Sequence, residues 1–200
     1  MLKAVASQDL WFWHAFFGPP GSNNDINVLN QSPLFNDVLN GVAPDMSFVV
    51  NNVQYKHGYY LVDGIYPDYP TLVKAFSYPT DLKRIKFKAA QESARKDIER
   101  AFGVLKARWA IVNNPARAWR PQKIRTIMYA CVILHNMILK DEGNAICPFQ
   151  ESDLPATQER VSQEEYVRNF QEIRNTEKHH MLREDLVNHI WNIQLPNVGE

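Results

Sequence analysis

The feature that most restricts how this chain can fold is an aromatic run near its start, Leu10-Trp11-Phe12-Trp13-His14-Ala15-Phe16-Phe17. A nearly continuous apolar stretch of this length reads as a central strand covered on both faces. Gly18-Pro19-Pro20-Gly21-Ser22 ends it. With 45% hydrophobic residues in 200, the chain has material for one buried core but not comfortably for two. The longest apolar run, Ile127 to Leu134, is far short of the roughly 20 residues of a membrane-spanning helix. The N-terminus has too few apolar residues before Gln8 and Asp9 for a secretory signal, so a soluble intracellular protein with no membrane partner is expected. Cys131 and Cys147 have no second pair, and neither a disulfide framework nor a zinc site is indicated.

Asn23-Asn24-Asp25 offers N-cap side chains for one or two short helices through Leu39. Met46 to Tyr55 reads as a hairpin turning at Asn51-Asn52, and Tyr59 to Val62 as a strand that stops at Asp63-Gly64. From Lys88 to Trp109 apolar residues recur at three- and four-residue steps, which predicts one amphipathic helix. Ala110-Ile111-Val112 reads as a short strand, and Gln122 to Lys140 as a buried helix that closes the core. Pro148 and Gln150 to Gln158 look like a linker, followed by helical pattern from Glu164 to Trp191. The expected division is a domain over 1–145, a linker over 146–163 and an acidic helical tail over 164–200.

The net charge is zero, yet charge is unevenly placed. Lys83 to Arg125 holds thirteen Lys and Arg against three acids. Such a stretch suits phosphate binding, with Lys83, Arg84, Lys86, Lys88, Arg95, Lys96, Lys106 and Arg108 as candidate DNA contacts. The other reading is a solvated helical face whose matching acids lie elsewhere in the fold.

Cleavage of a phosphodiester by two divalent ions needs carboxylates from different elements converging on one point. Asp63 at a strand end and Glu99 on a later helix suit that geometry in outline, and Mg²⁺, or Mn²⁺, suits oxygen ligands. Taken singly, Asp63 also reads as a turn aspartate before glycine, and Glu99 as a surface ion-pair partner. His135 reads as a hydrogen-bonded core histidine, and His179-His180 lack a third ligand at suitable spacing, so no metal is assigned to them.

Several blocks point further. Ala4 to Gly18, Gly21-Ser22-Asn23-Asn24-Asp25, Gly58-Tyr59-Tyr60-Leu61-Val62-Asp63-Gly64-Ile65-Tyr66-Pro67, Ala94 to Trp109 and Ala130 to Ile138 stand in one order over about residues 4 to 142. Together they resemble the plant PIF/Harbinger-type DNA transposases and the nucleases derived from them. The resemblance implies an α/β, ribonuclease-H-like mixed sheet flanked by helices, an Asp-Asp-Glu site using Mg²⁺ or Mn²⁺, and DNA as the substrate. It further implies a separate helix-turn-helix partner protein and a nuclear location. Matched by motif, Asp63 corresponds to the second acid and Glu99 to the third. Asp25 is a recurrent position read first as a helix N-cap and second as a supporting acid. By block order Asp9 falls in a hairpin, and no residue of this sequence matches the first acid. The expectation is therefore a domain lacking its first strand, N-terminally truncated and catalytically impaired. Non-catalytic DNA binding and a protein-interaction role for the tail are the alternatives.

Overall fold

The computed structural model describes residues 2–18, 24–114, 120–145 and 161–193. The expected turn from Pro19 to Ser22, Arg117, Cys147, the linker over 146–160 and the end of the tail over 194–200 lie outside them. The chain is a mixed α/β protein of two compact units. One takes Met1–Phe35 and Arg95–Leu154, the other Asn36–Ala94 and Pro155–Glu200. This is not the linear division expected from the sequence. Among the described residues the strands form three two-stranded sheets, two antiparallel and one parallel. No described helix is long and apolar enough to cross a membrane.

The first unit opens with an antiparallel hairpin, β1 (Leu2–Ala6) and β2 (Phe12–Phe17), with Leu2 opposite Phe17 and Val5 opposite His14. The aromatic run is therefore a strand only from Phe12. It is not covered on both faces: Phe12 is buried while Trp13 stays 48% exposed. A two-stranded sheet can turn one face to a core, and Trp13 on the other leans on Trp11 and donates its indole N–H to Ser7 Oγ at 3.0 Å. Helix α1 (Asp25–Gln31) is capped by Asn24, whose side chain accepts from the Asn27 amide at 2.9 Å. Asp25 is not the cap. It sits in the first turn and pairs with Lys3 at 3.0 Å.

The core of this unit joins Phe12 to Ala101, Leu105, Cys131 and Val132, with Ile98, Phe102, Val112 and Ile127 packed around them. These residues come from β2 and three helices. The expected single helix over Lys88 to Trp109 is broken at Lys96, and its second part is α4 (Asp97–Arg108). Ala110 to Val112 is not a strand but belongs to the short helix α5 (Ala110–Asn113), which turns Val112 onto the same core. Helix α6 (Pro121–Asp141) begins with proline at its first position, where the missing N–H costs nothing.

Two adjacent α6 side chains fasten the hairpin. Asn136 accepts from the Phe12 amide at 3.0 Å and donates to the Phe12 carbonyl at 2.8 Å, as a neighbouring strand would. His135, fully buried and edge-on to Phe12, donates Nε2–H to the Leu10 carbonyl at 3.0 Å. Its Nδ1 accepts from Arg108 at 3.3 Å, which needs the neutral ring. Leu10 has φ +69°, and this tie holds it in that left-handed conformation.

The second unit contains α2 (Asn36–Leu39) and the hairpin β3 (Phe48–Val50) and β4 (Val53–Tyr55). Its turn residues Asn51 and Asn52 have φ of +49° and +64°, the paired left-handed conformation of a tight hairpin. Strand β5 (Tyr60–Val62) runs parallel to β6 (Leu72–Lys74). Three helices complete it: α3 (Leu82–Arg95, its last residue across the unit boundary), α7 (Gln163–Ile173) and α8 (Thr176–Asn192). Leu182, Leu186 and Val187 of α8 are buried with Val50, Val73 and Phe87, so the residues expected as a tail supply half of this unit's central cluster.

Asn136→Ala strands both the amide and the carbonyl of Phe12. A loss of about 2–4 kcal/mol is expected, with urea unfolding followed by tryptophan fluorescence as the measurement. Desolvation by burial, outweighing the Leu10 hydrogen bond, holds the His135 imidazole below its usual range. A histidine whose folded value is depressed stabilises above its unfolded value of about 6.5, and that contribution disappears as pH falls through the folded one. The unfolding midpoint of the wild type should therefore fall more steeply below about pH 6.5 than that of His135→Gln; parallel curves would refute this.

Candidate functional site

Asp63 follows β5 directly and is exposed at the carboxyl end of the parallel pair. Its carbonyl accepts from the Tyr66 amide at 3.3 Å, which closes a turn after the strand. The end of β5 is fixed by Gln91 of α3. Buried at 3% exposure, Gln91 donates its amide to the Val62 carbonyl at 3.0 Å and the Val73 carbonyl at 3.2 Å. One side chain thus lashes α3 to both parallel strands, at the residue preceding Asp63. Its Oε1 is buried without a hydrogen-bond partner.

Glu99 lies in the first turn of α4, where the helix N-terminus favours negative charge. Its neighbour Asp97 is paired with Arg100. At three- and four-residue steps Lys96, Glu99, Gly103 and Lys106 share one exposed face, opposite the buried Ala101 and Leu105. A side chain at Gly103 would meet nothing within 4 Å, so the space beside Glu99 on that face is open.

Asp63 belongs to the second unit, and Glu99 and Asp25 belong to the first. Among the described residues no group of three His, Cys, Asp or Glu is placed to hold a metal ion. The carboxylates of Asp63, Glu99 and Asp25 have the oxygen chemistry that Mg²⁺ takes.

Most of the α3 cations have partners inside their own unit. Arg84 pairs with Glu184 at 2.9 Å and lies over the Phe76 ring, and Lys83 donates to Asn188 at 3.3 Å. Lys86 donates to the Ile193 carbonyl at 2.8 Å, and Lys88 to that of Ser77 at 3.1 Å. In the other unit Arg108 is occupied by His135 and by Glu142 at 3.3 Å. Lys96 and Lys106 are exposed on the Glu99 face, and Arg95 is half-buried at the end of α3. A cleft of about 500 Å³ in the second unit is lined by Val38, Asp45, His57, Glu165 and Asn169 among others, and does not include Asp63.

Sequence reasoning missed Gln91 and Asn136. Asn136 is an amide in an apolar stretch of helix, which was the available signal, whereas Gln91 stands beside Glu92 and Ser93 and had none. His135 is the hydrogen-bonded core residue it was expected to be.

Residues 1–146 match the family described as plant transposon protein, and the chain belongs to that family. This is the lineage to which the PIF/Harbinger-like blocks pointed. The chain is similar to "Protein ALP1-like" of Arabidopsis thaliana, with 31% identity over 153 residues, 72% of this chain and 36% of that protein's length. No solved structure matches.

Gln91→Glu tests the lashing of α3. The variant would set carboxylate oxygen against two carbonyls, so it should lose more stability than Gln91→Met, which costs about 1–3 kcal/mol through the two hydrogen bonds it removes. Relative to wild type at each pH, the Glu variant should recover as acid protonates it and restores a donor. Equal stability of the two variants at neutral pH, by urea titration, would exclude this role.

Proposed function

We propose that this chain is the Asp63- and Glu99-bearing part of a transposase-derived nuclease of ribonuclease-H-like ancestry. In this reading Asp63 and Glu99 are carboxylate ligands for Mg²⁺ or Mn²⁺. The observation that carries it is the exposed face of α4, on which Glu99 stands between Lys96 and Lys106 with open space at Gly103. Cations flanking a carboxylate hold phosphate oxygens beside the ligand that the metal would share. Asp63 supports the reading from the other unit, since ligands of parallel α/β pairs gather at the carboxyl ends of strands. The bound ion would supply charge neutralisation at the phosphate and an activated water.

This reading keeps DNA affinity through the exposed Lys96 and Lys106 beside Glu99, with weak nicking or none. Such a protein acts in the nucleus, and choice of DNA sequence falls to a helix-turn-helix partner. Protein docking by the acidic C-terminal helices is the less favoured reading, because Glu172, Glu184 and Asp185 are engaged by Lys178, Arg84 and Tyr55 within the unit.

Binding of a fluorescent DNA duplex at increasing salt checks the basic face. The wild type should weaken steeply, and Lys96→Gln/Lys106→Gln should reduce the slope of log K against log salt by about 2, one for each phosphate that is no longer neutralised. Lys83→Gln should leave it unchanged. An unaltered slope in the double variant would remove α4 as the DNA face. In a plasmid assay with Mn²⁺ no nicking is expected. Nicking that disappears in Asp63→Ala and Glu99→Ala would instead establish a working site.

A further inference from the structure

The loop that begins at Asp63 is fastened from outside by Lys74 and His179. Lys74, at the end of β6, donates from Nζ to the Tyr66 carbonyl at 2.9 Å and pairs with Asp68 at 2.5 Å. His179 of α8, its side chain wholly buried, donates Nδ1–H to the Tyr69 carbonyl at 2.9 Å. Tyr69 O also accepts from the Leu72 amide at 2.9 Å, and the Tyr69 ring lies under the Arg174 guanidinium, 5.6 Å away. The internal bond from Tyr66 N to Asp63 O connects the first fastening to Asp63 itself. Remote pairs of this kind fix where a carboxylate sits before any ligand arrives.

The two rings of the His179-His180 pair have different duties. His180 is exposed, whereas His179 Nε2 is buried, has no hydrogen-bond partner and stands 3.4 Å from Asp68 Oδ1. A bond from Nδ1–H to a carbonyl puts the proton of a neutral ring on Nδ1 and leaves Nε2 as a bare lone pair. Lys74 faces the same carboxylate and holds Asp68 below the usual carboxylate range, through its hydrogen bond first. The groups around His179 are Asp68, Arg183, His180 and the Tyr69 carbonyl, and burial keeps its imidazole below the ordinary range.

We infer that His179 and Lys74 are positioning residues for Asp63, so that the C-terminal helices set the geometry of its loop. The metal-ligand part of this inference rests on the reading of Asp63 proposed above. The ordering of the loop does not.

Backbone amide exchange and Mn²⁺-induced broadening of amide NMR signals, both on the full chain, separate the two. Exchange at Tyr66 and Tyr69 should quicken at least tenfold in Lys74→Met and in His179→Phe. It should stay near wild type in His179→Asn, whose amide N–H can replace Nδ1–H. Leu186→Ala, which loosens α8 without touching the loop, should not reproduce the local effect. Should His179→Phe fail to fold, Lys74→Met carries the test, since it leaves α8 intact. In the metal titration, signals around Asp63 should broaden in wild type and not in Asp63→Ala. The Mn²⁺ concentration required should rise about tenfold in Lys74→Met and His179→Phe, as for other outer partners of metal ligands. No broadening near Asp63 in wild type would refute the ligand reading and leave the exchange result to judge the loop. Unchanged exchange, or unchanged Mn²⁺ response where wild type does respond, would overturn the positioning role.

Discussion

Asn136 of α6 both donates to and accepts from the backbone of Phe12, and the first unit is arranged around that exchange. A two-stranded hairpin in water is marginal, because half of its backbone groups have no strand opposite. The amide acts as a one-residue strand. It places Phe12 against Leu105, Cys131 and Val132, while His135 beside it holds the loop at Leu10. Gln91 does the corresponding work in the second unit, where β5 and β6 are three residues each and its amide donates to a carbonyl on both. In both units a helix amide takes the place of a missing neighbour strand. The carboxylates of interest are carried by the elements so fastened, Asp63 after β5 and Glu99 on the helix that packs Ala101 and Leu105 under Phe12.

Periodicity made the long elements legible. The apolar pattern from Gln122 to Lys140 became α6, and the Asn51-Asn52 turn sits where two left-handed residues are needed. Errors fell where a local pattern permits two outcomes. Ala110-Ile111-Val112 is apolar and β-branched enough for a strand, but the chain had just left α4 at Trp109 and buries Val112 by turning once more. The break at Lys96 has no proline or glycine to announce it, and it falls next to the boundary between units. Asp25 and Asn24 compete for the same cap, and sequence cannot rank two good capping residues when Lys3 stands ready to pair with one of them.

Charge was legible only in one dimension. The excess of cations over Lys83 to Arg125 is a true feature of the chain, but folding gives it two fates. On α3 the cations meet Glu184, Asn188 and carbonyls of α8 and its end. On α4 the buried face takes Ala101 and Leu105, which leaves Lys96, Glu99 and Lys106 outward. The solvated-face reading thus suits Arg84, while Lys96 and Lys106 remain exposed beside Glu99. No count along the sequence could separate them, because the α3 partners Glu184, Asn188 and Ile193 lie about a hundred residues away.

The same distance explains why the C-terminal helices matter to a site that the family match does not include them in. That match ends at residue 146, yet Val50, Val73 and Phe87 are buried against Leu182, Leu186 and Val187. Without α8 these three apolar side chains would face water, each at a cost of about 1.5–3 kcal/mol, comparable in total to the whole stability of a small domain. The strand pair that presents Asp63 therefore depends on α8 for its burial, and the loop after it depends on His179 of that helix for a backbone tie. A segment can lie outside the family's matched region and still be a physical requirement of that region's fold. The match follows which residues relatives share, whereas the core follows which surfaces must be kept from water.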